Sequence, residues 1–234
     1  MKRIAIFVEG LTEQILVKRM LENVMRSKQI AVQTVKITGG HNIRMSFTVM
    51  QAAKVNRDTG YYVLIYDCGG ETNVKGYLVM QRQSLVDKGY TCIIGLRDVY
   101  PNFTHEEIPK LRKGLNFKLS QQGAVTRIHL AIMETEAWFL GEYTHLAKVS
   151  TKLTPEFIQK RLGFNPKTEN MEERENPAED LKRVYKLVDQ DYTKKRNRLN
   201  RIIGILNFNF FTRRLARKMV SLGDFVNQLE LFFE

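Results

Sequence analysis

The apolar positions of this chain change period several times along its length. Residues 3–8, RIAIFV, form a short run rich in β-branched and aromatic side chains, closed by Gly10. From Thr12 the spacing turns helical, with Ile15, Leu16, Met20 and Val24 recurring at three- and four-residue intervals. Thr12 is placed to cap that helix, and Glu13 favours its first turn. A strand is expected at 30–37, ending in Gly39-Gly40, and residues 42–55 read as a helix. The turn Asp58-Thr59-Gly60 leads into 61–66, nearly all apolar, as expected of a strand covered on both faces of a sheet. A helix over 73–87, a strand at 91–96, a helix near 105–113 and a strand at 125–133 follow.

Strands alternating with helices predict an α/β fold, a mostly parallel, Rossmann-like sheet flanked by helices, over residues 1–150. Beyond 150 the pattern is helical, at 154–162, 177–190, 193–204, 211–219 and 222–232. Residues 151–234 thus read as a helical C-terminal extension, separate from the first domain or packed on it as one unit. Residues 164–177 read as a linker.

That pattern puts carboxylates at strand ends again and again: Glu9 after the first strand, Asp67 after 61–66, Asp98 after 91–96, and Glu134 and Glu136 after 125–133. Ligands of parallel α/β sheets gather at the carboxyl ends of the strands. Mg²⁺ takes oxygen ligands, typically a few carboxylates completed by water and substrate phosphate, and it promotes phosphodiester cleavage. Acids on neighbouring strand ends would assemble such a site. Rival chemistry is weak. His41, His105, His129 and His145 show no metal spacing, and there is neither a nucleophile elbow nor a phosphate-binding P-loop. Trp138 reads as core.

Charge adds a second theme. The net charge is +12, and residues 181–220 hold twelve Lys or Arg against two acids, so ten of those net charges come from 40 residues. Lys194, Arg198 and Arg201 are spaced to share one helical face, and Lys195, Arg213 and Arg214 lie close by. Tyr185, Tyr192, Phe208, Phe210 and Phe211 are interleaved with them. Basic groups among aromatics suit a nucleic-acid backbone, DNA or RNA, without naming a base sequence. Residues 169–180 are acidic by contrast. Cys68 and Cys92 are too few for a disulfide framework and read as buried thiols. No stretch approaches the roughly 18 apolar residues of a membrane span, and the first residues lack a signal-peptide pattern, so a cytoplasmic protein with no membrane partner is expected.

The motif Val8-Glu9-Gly10-Leu11-Thr12-Glu13 resembles the VEGxTE opening of Toprim domains, found in nucleases of the overcoming-lysogenization-defect (OLD) type and in topoisomerases and primases. The resemblance implies a Toprim-like sheet, Mg²⁺ or Mn²⁺ as cofactor, and Glu9 and Asp67 as metal ligands and catalytic groups. Glu13 would take the place of a second catalytic glutamate. The family pattern is Asp-x-Asp, and Gly69 stands where its second Asp belongs, which leaves Glu71 or Asp98 to complete the shell. The segment Glu134-Thr135-Glu136-Ala137-Trp138, with Asn176-Pro177 and the Phe225-centred tail, resembles small bacterial Toprim-like proteins associated with ABC-type ATPases in phage defence. These resemblances imply a metal-dependent nuclease with nucleic acid and an ABC-type ATPase as partners; a homo-oligomer with a second copy of the chain is a separate option that the sequence leaves open. A regulatory or binding subunit with a degenerate site is the alternative.

Overall fold

The computed structural model describes residues 1–24, 29–40 and 43–234; His41 lies outside them. The first half alternates as β1 (Lys2–Val8), α1 (Leu11–Val24), β2 (Ile30–Gly40), β3 (Ile43–Gln51), β4 (Tyr61–Asp67), α2 (Asn73–Asp87), β5 (Cys92–Asp98), α3 (Ile108–Asn116) and β6 (Val125–Ala131). The six strands form one sheet in the order β3-β2-β4-β1-β5-β6. β1 runs parallel to β4 and to β5, and β2 runs parallel to β4. Ile4 to Val8 are all fully buried, as befits a central strand sandwiched by helices. The expected Rossmann-like α/β architecture is therefore present.

Where a helix is expected over 42–55, Ile43–Gln51 form a strand instead: β3 pairs antiparallel with β2, with Gly40 opposite Ile43. Ile43, Met45, Phe47 and Val49 alternate with polar positions, a period of two that the apolar count alone obscured. The start of α1 also differs from expectation. Gly10, not Thr12, is the cap: its carbonyl accepts from Gln14 N–H at 3.1 Å, and its own N–H donates to Glu13 Oε2 at 2.9 Å. A glutamate three residues into a helix reaching back to the cap is half of a capping box. One turn on, the Gln14 amide donates to the carbonyls of Val35 and Ile65 and so pins α1 across β2 and β4.

At the other edge of the sheet, two amide side chains stand in for a missing neighbour strand. Asn116 exchanges both bonds with the backbone of Ile128, and Gln121 does the same with Thr126. Blocking an edge this way protects it from pairing with another chain.

The second half is helical: α4 (Thr135–Gly141), α5 (Leu146–Val149), α6 (Pro155–Leu162), α7 (Pro177–Lys186), α8 (Arg196–Gly204), α9 (Phe208–Phe210), α10 (Ala216–Lys218) and α11 (Val220–Phe233), with a π-turn at Phe211–Leu215. The chain divides into two compact units, one of Met1–Arg97, Pro109–Leu130 and Gln228–Glu234, the other of Asp98–Ile108 and Ala131–Asn227. Residue 150 thus falls inside the second unit. Residues 164–177 are packed instead of forming a linker, because Phe164 and Met171 are fully buried. Arg174 lies over the Phe164 ring at 4.6 Å.

Helices in the second unit approach closely through glycine. A Cβ on Gly223 would stand 2.4 Å from the Ala216 carbonyl oxygen, a backbone atom that cannot swing aside. Gly223→Ala is expected to cost about 1–3 kcal/mol, seen as a lower melting temperature. Among the described residues, no helix is long and apolar enough to cross a membrane.

Candidate functional site

The strand-end acids fall into two sets, one in each unit. In the first unit, Val8 of β1, Asp67 of β4 and Lys36 of β2 are neighbours in register. Glu9 follows directly on Val8. Beyond the strands the two loops stay joined, since Cys68 N–H donates to the Val8 carbonyl and Gly70 N–H to the Glu9 carbonyl, each at 2.9 Å. Asp67 is buried, and its Oδ1 accepts from Gly69 N–H at 3.0 Å, closing a tight turn. Gly69 at φ +69° and Gly70 at φ +152° make that turn; the second conformation is one that side chains rarely allow. Asn73 donates to the Cys68 carbonyl at 3.1 Å and ties the turn to α2. Glu71 lies in the same turn, just ahead of α2.

The Glu9 and Asp67 charges converge on Cys68. Burial first, then Asp67 and Glu9, pushes its thiol well above the ordinary range. The Cys92 thiol is pushed up to about 12 by burial alone. Both thiols are free and buried, hence unreactive near neutral pH.

In the second unit, the remaining acids meet at the start of α4. Asp98 Oδ1 accepts from Thr135 N–H at 3.1 Å. Glu134 Oε2 accepts from Ala178 N–H at 2.9 Å, in the first turn of α7. Glu136 is fully buried; its Oε1 accepts from the Tyr192 hydroxyl at 2.6 Å and from Lys194 at 2.9 Å, while its Oε2 has no hydrogen-bond partner among the described residues. Lys194 also lies 3.9 Å from Glu134. Met133, just before this group, is held at φ +58°, its carbonyl accepting from the amides of Val99 and Tyr100. A large residue in that region is a strained one.

Burial, reinforced by the charge of Glu136, raises the Glu134 pKa above its ordinary 4.5, against the opposing pull of Ala178 N–H, Lys194 and Lys182. A raised carboxyl pKa favours the folded state fully at low pH and loses that contribution as pH climbs from about 4.5 through the folded value. Glu134→Gln keeps an acceptor for Ala178 but cannot ionise. Its melting temperature relative to the native chain is therefore expected to rise between pH 4.5 and pH 7.5; a constant difference across that range would refute the assignment.

Among the described residues, no group of three or more His, Cys, Asp or Glu side chains is placed to hold one metal ion. Two carboxylates completed by water and phosphate are nonetheless a usual Mg²⁺ complement, so Glu9 and Asp67 fit an open, water-rich ion and not a closed cage. Glu13, buried, has its carboxylate on the Gly10 N–H.

The basic groups are also redistributed. Lys194 precedes α8 instead of sharing a face with Arg198 and Arg201, because the buried Glu136 carboxylate holds its ammonium. Lys195, Arg198, Arg201, Arg213 and Arg214 are exposed. The sequence pattern did not single out Lys36, whose only signal was a lone cation in an apolar strand. Nor did it single out Arg112, Lys113 and Arg127, which line an open groove of about 630 Å³ in the first unit.

Fold and site together define a Rossmann-like α/β protein with acids at the carboxyl ends of adjacent parallel strands. The chain belongs to the family DUF4276, described as a domain of unknown function, whose profile matches residues 8–202. No curated protein and no solved structure matches the chain.

Proposed function

We propose that this protein is a Toprim-type, Mg²⁺- or Mn²⁺-dependent nuclease that cleaves phosphodiester bonds in nucleic acid, with its site at Glu9 and Asp67. The observation that supports this most is the register placing Val8 beside Asp67, which puts both carboxylates at the ends of adjacent parallel strands. In this reading Glu9 and Asp67 hold the ion. A bound ion would supply Lewis-acid polarisation of the phosphoryl group and a more acidic water. Lys36 shares the sheet level of Asp67 and holds a substrate phosphate. Glu13 fixes the Gly10 turn that positions Glu9, and the exposed cations of the second unit give that unit a nucleic-acid-binding surface of its own. The VEGxTE and ExEAW resemblances extend the reading to a bacterial defence effector in the cytoplasm, working with an ABC-type ATPase.

The test is metal-dependent cleavage of duplex DNA, single-stranded DNA and RNA by the native chain, Glu9→Gln and Asp67→Asn. Cleavage that survives in both variants would sink the reading.

A second reading, a regulatory or nucleic-acid-binding subunit without catalysis, is favoured by one observation. Gly69 occupies the place of an expected Asp, although its φ of +69° is one that Asp tolerates and its Cβ direction is open to 3.9 Å. Thermal shift with millimolar Mg²⁺ or Mn²⁺ separates the two. Stabilisation that Asp67→Asn abolishes fits the nuclease, and none at all fits the binding subunit.

A further inference from the structure

The second unit contains a basic pocket that neither acid set uses. α5, α7 and α8 enclose a cavity of about 190 Å³ lined by Lys148, Tyr185, Arg198 and Arg201, with Ile202 and Ile205 as its apolar floor. Arg198 and Arg201 are three residues apart on α8 and so face the same way. Lys148 is fastened at the rim by donating to the Ile205 carbonyl at 2.7 Å, which leaves two of its protons to other acceptors. Asp191 also lines the pocket, but Lys186 is ion-paired to it.

Tyr185 supplies the second observation. The residue is 3% exposed and forms part of the pocket wall, and its hydroxyl, shut off from solvent, has no hydrogen-bond partner among the described residues. A buried hydroxyl without a partner forfeits about 1–3 kcal/mol.

We propose that this pocket binds a phosphate monoester, with Arg198, Arg201 and Lys148 meeting its charged oxygens and Tyr185 forming part of the wall. Guanidinium forks match phosphate geometry, and three cations against one already paired carboxylate suit a dianion. The size selects the same class: pockets that engulf a drug-sized molecule run to roughly 300–1,000 Å³, so here a phosphoryl group enters and whatever it is attached to stays outside. The site is independent of Glu9 and Asp67.

The experiment is calorimetry on the full chain without divalent metal, so that it reads binding even if the nuclease proposal fails. The probes are inorganic phosphate, a nucleoside 5′-monophosphate, and one oligonucleotide with a 5′-phosphate or a 5′-hydroxyl. The phosphate monoesters are expected to bind saturably. The paired change Arg198→Gln and Arg201→Gln should weaken them about tenfold or more, the scale of a lost charge-assisted hydrogen bond. Equal binding of the mononucleotide and the phosphorylated strand supports a small-anion site; preference for the phosphorylated strand over both its 5′-hydroxyl form and the mononucleotide supports a strand-end site. If the arginine pair fails to fold, Lys148→Gln carries the same test. Absence of saturable binding by the native chain at millimolar phosphate, or binding indifferent to these substitutions, overturns the proposal.

Discussion

Asp67→Asn should reduce the proposed metal-dependent cleavage by on the order of 100-fold, the usual scale for removing one charged group from the stabilisation of a reacting phosphoryl. The substitution isolates charge from structure. Asn keeps an oxygen where Oδ1 accepts from Gly69 N–H at 3.0 Å, so the turn survives. It also removes a negative charge from a residue that is only 5% exposed. Turnover is expected to fall on that scale and metal-induced stabilisation to be lost, with the turn kept and the melting temperature measured alongside. Glu9→Gln should behave the same way, more mildly, because Glu9 is only half-buried. A variant that loses activity and unfolds would report on packing, and one that keeps native turnover would remove Asp67 from the chemistry.

The largest expected loss of stability is at Trp138. Its side chain is 1% exposed, lies edge-on to Phe211 and stacks near Phe225, with ring centroids 6.3 Å apart in each case. Its indole N–H donates to Ser221 Oγ at 3.0 Å. Ser221 in turn donates from both its N–H and its hydroxyl to the buried Glu172 carboxylate. Trp138→Ala removes the ring and strands that network, and should cost about 3–5 kcal/mol. Trp138→Phe keeps most of the apolar contact and loses the N–H bond, for about 1–2 kcal/mol. Denaturant titration of both variants checks the order. A Trp138→Ala protein with native stability but weakened nucleic-acid binding would instead make this residue a stacking platform.

Most of the sheet was legible because its strands carry their own signal. β1, β4, β5 and β6 are short apolar runs that each end in a turn or an acid, and α2, α6 and α11 lie close to where the apolar spacing puts them. β3 was misread as a helix although its apolar residues alternate with polar ones, because an exposed edge strand has no buried face to enforce that pattern. Ile43, Phe47, Val49 and Met50 are all well exposed, so their spacing was not enforced by a core. Residues 164–177 misled in the opposite direction: a polar composition hid Phe164, Met171 and Glu172, all buried. Family membership was not legible from motif spacing either; it rests on the match over residues 8–202.

For the site, the sequence by itself determined that acids stand at strand ends, because a parallel sheet must turn there and those turns are where this chain puts its carboxylates. Only the tertiary structure decided which of them meet. Strand order joined Glu9 and Asp67 and added Lys36, a partnership no linear spacing reveals. The start of α4 gathered Asp98, Glu134 and Glu136 in the other unit. The pull of one buried carboxylate then took Lys194 off its predicted helical face, since a charge shut away from water needs a counter-ion more than a helix needs another basic residue.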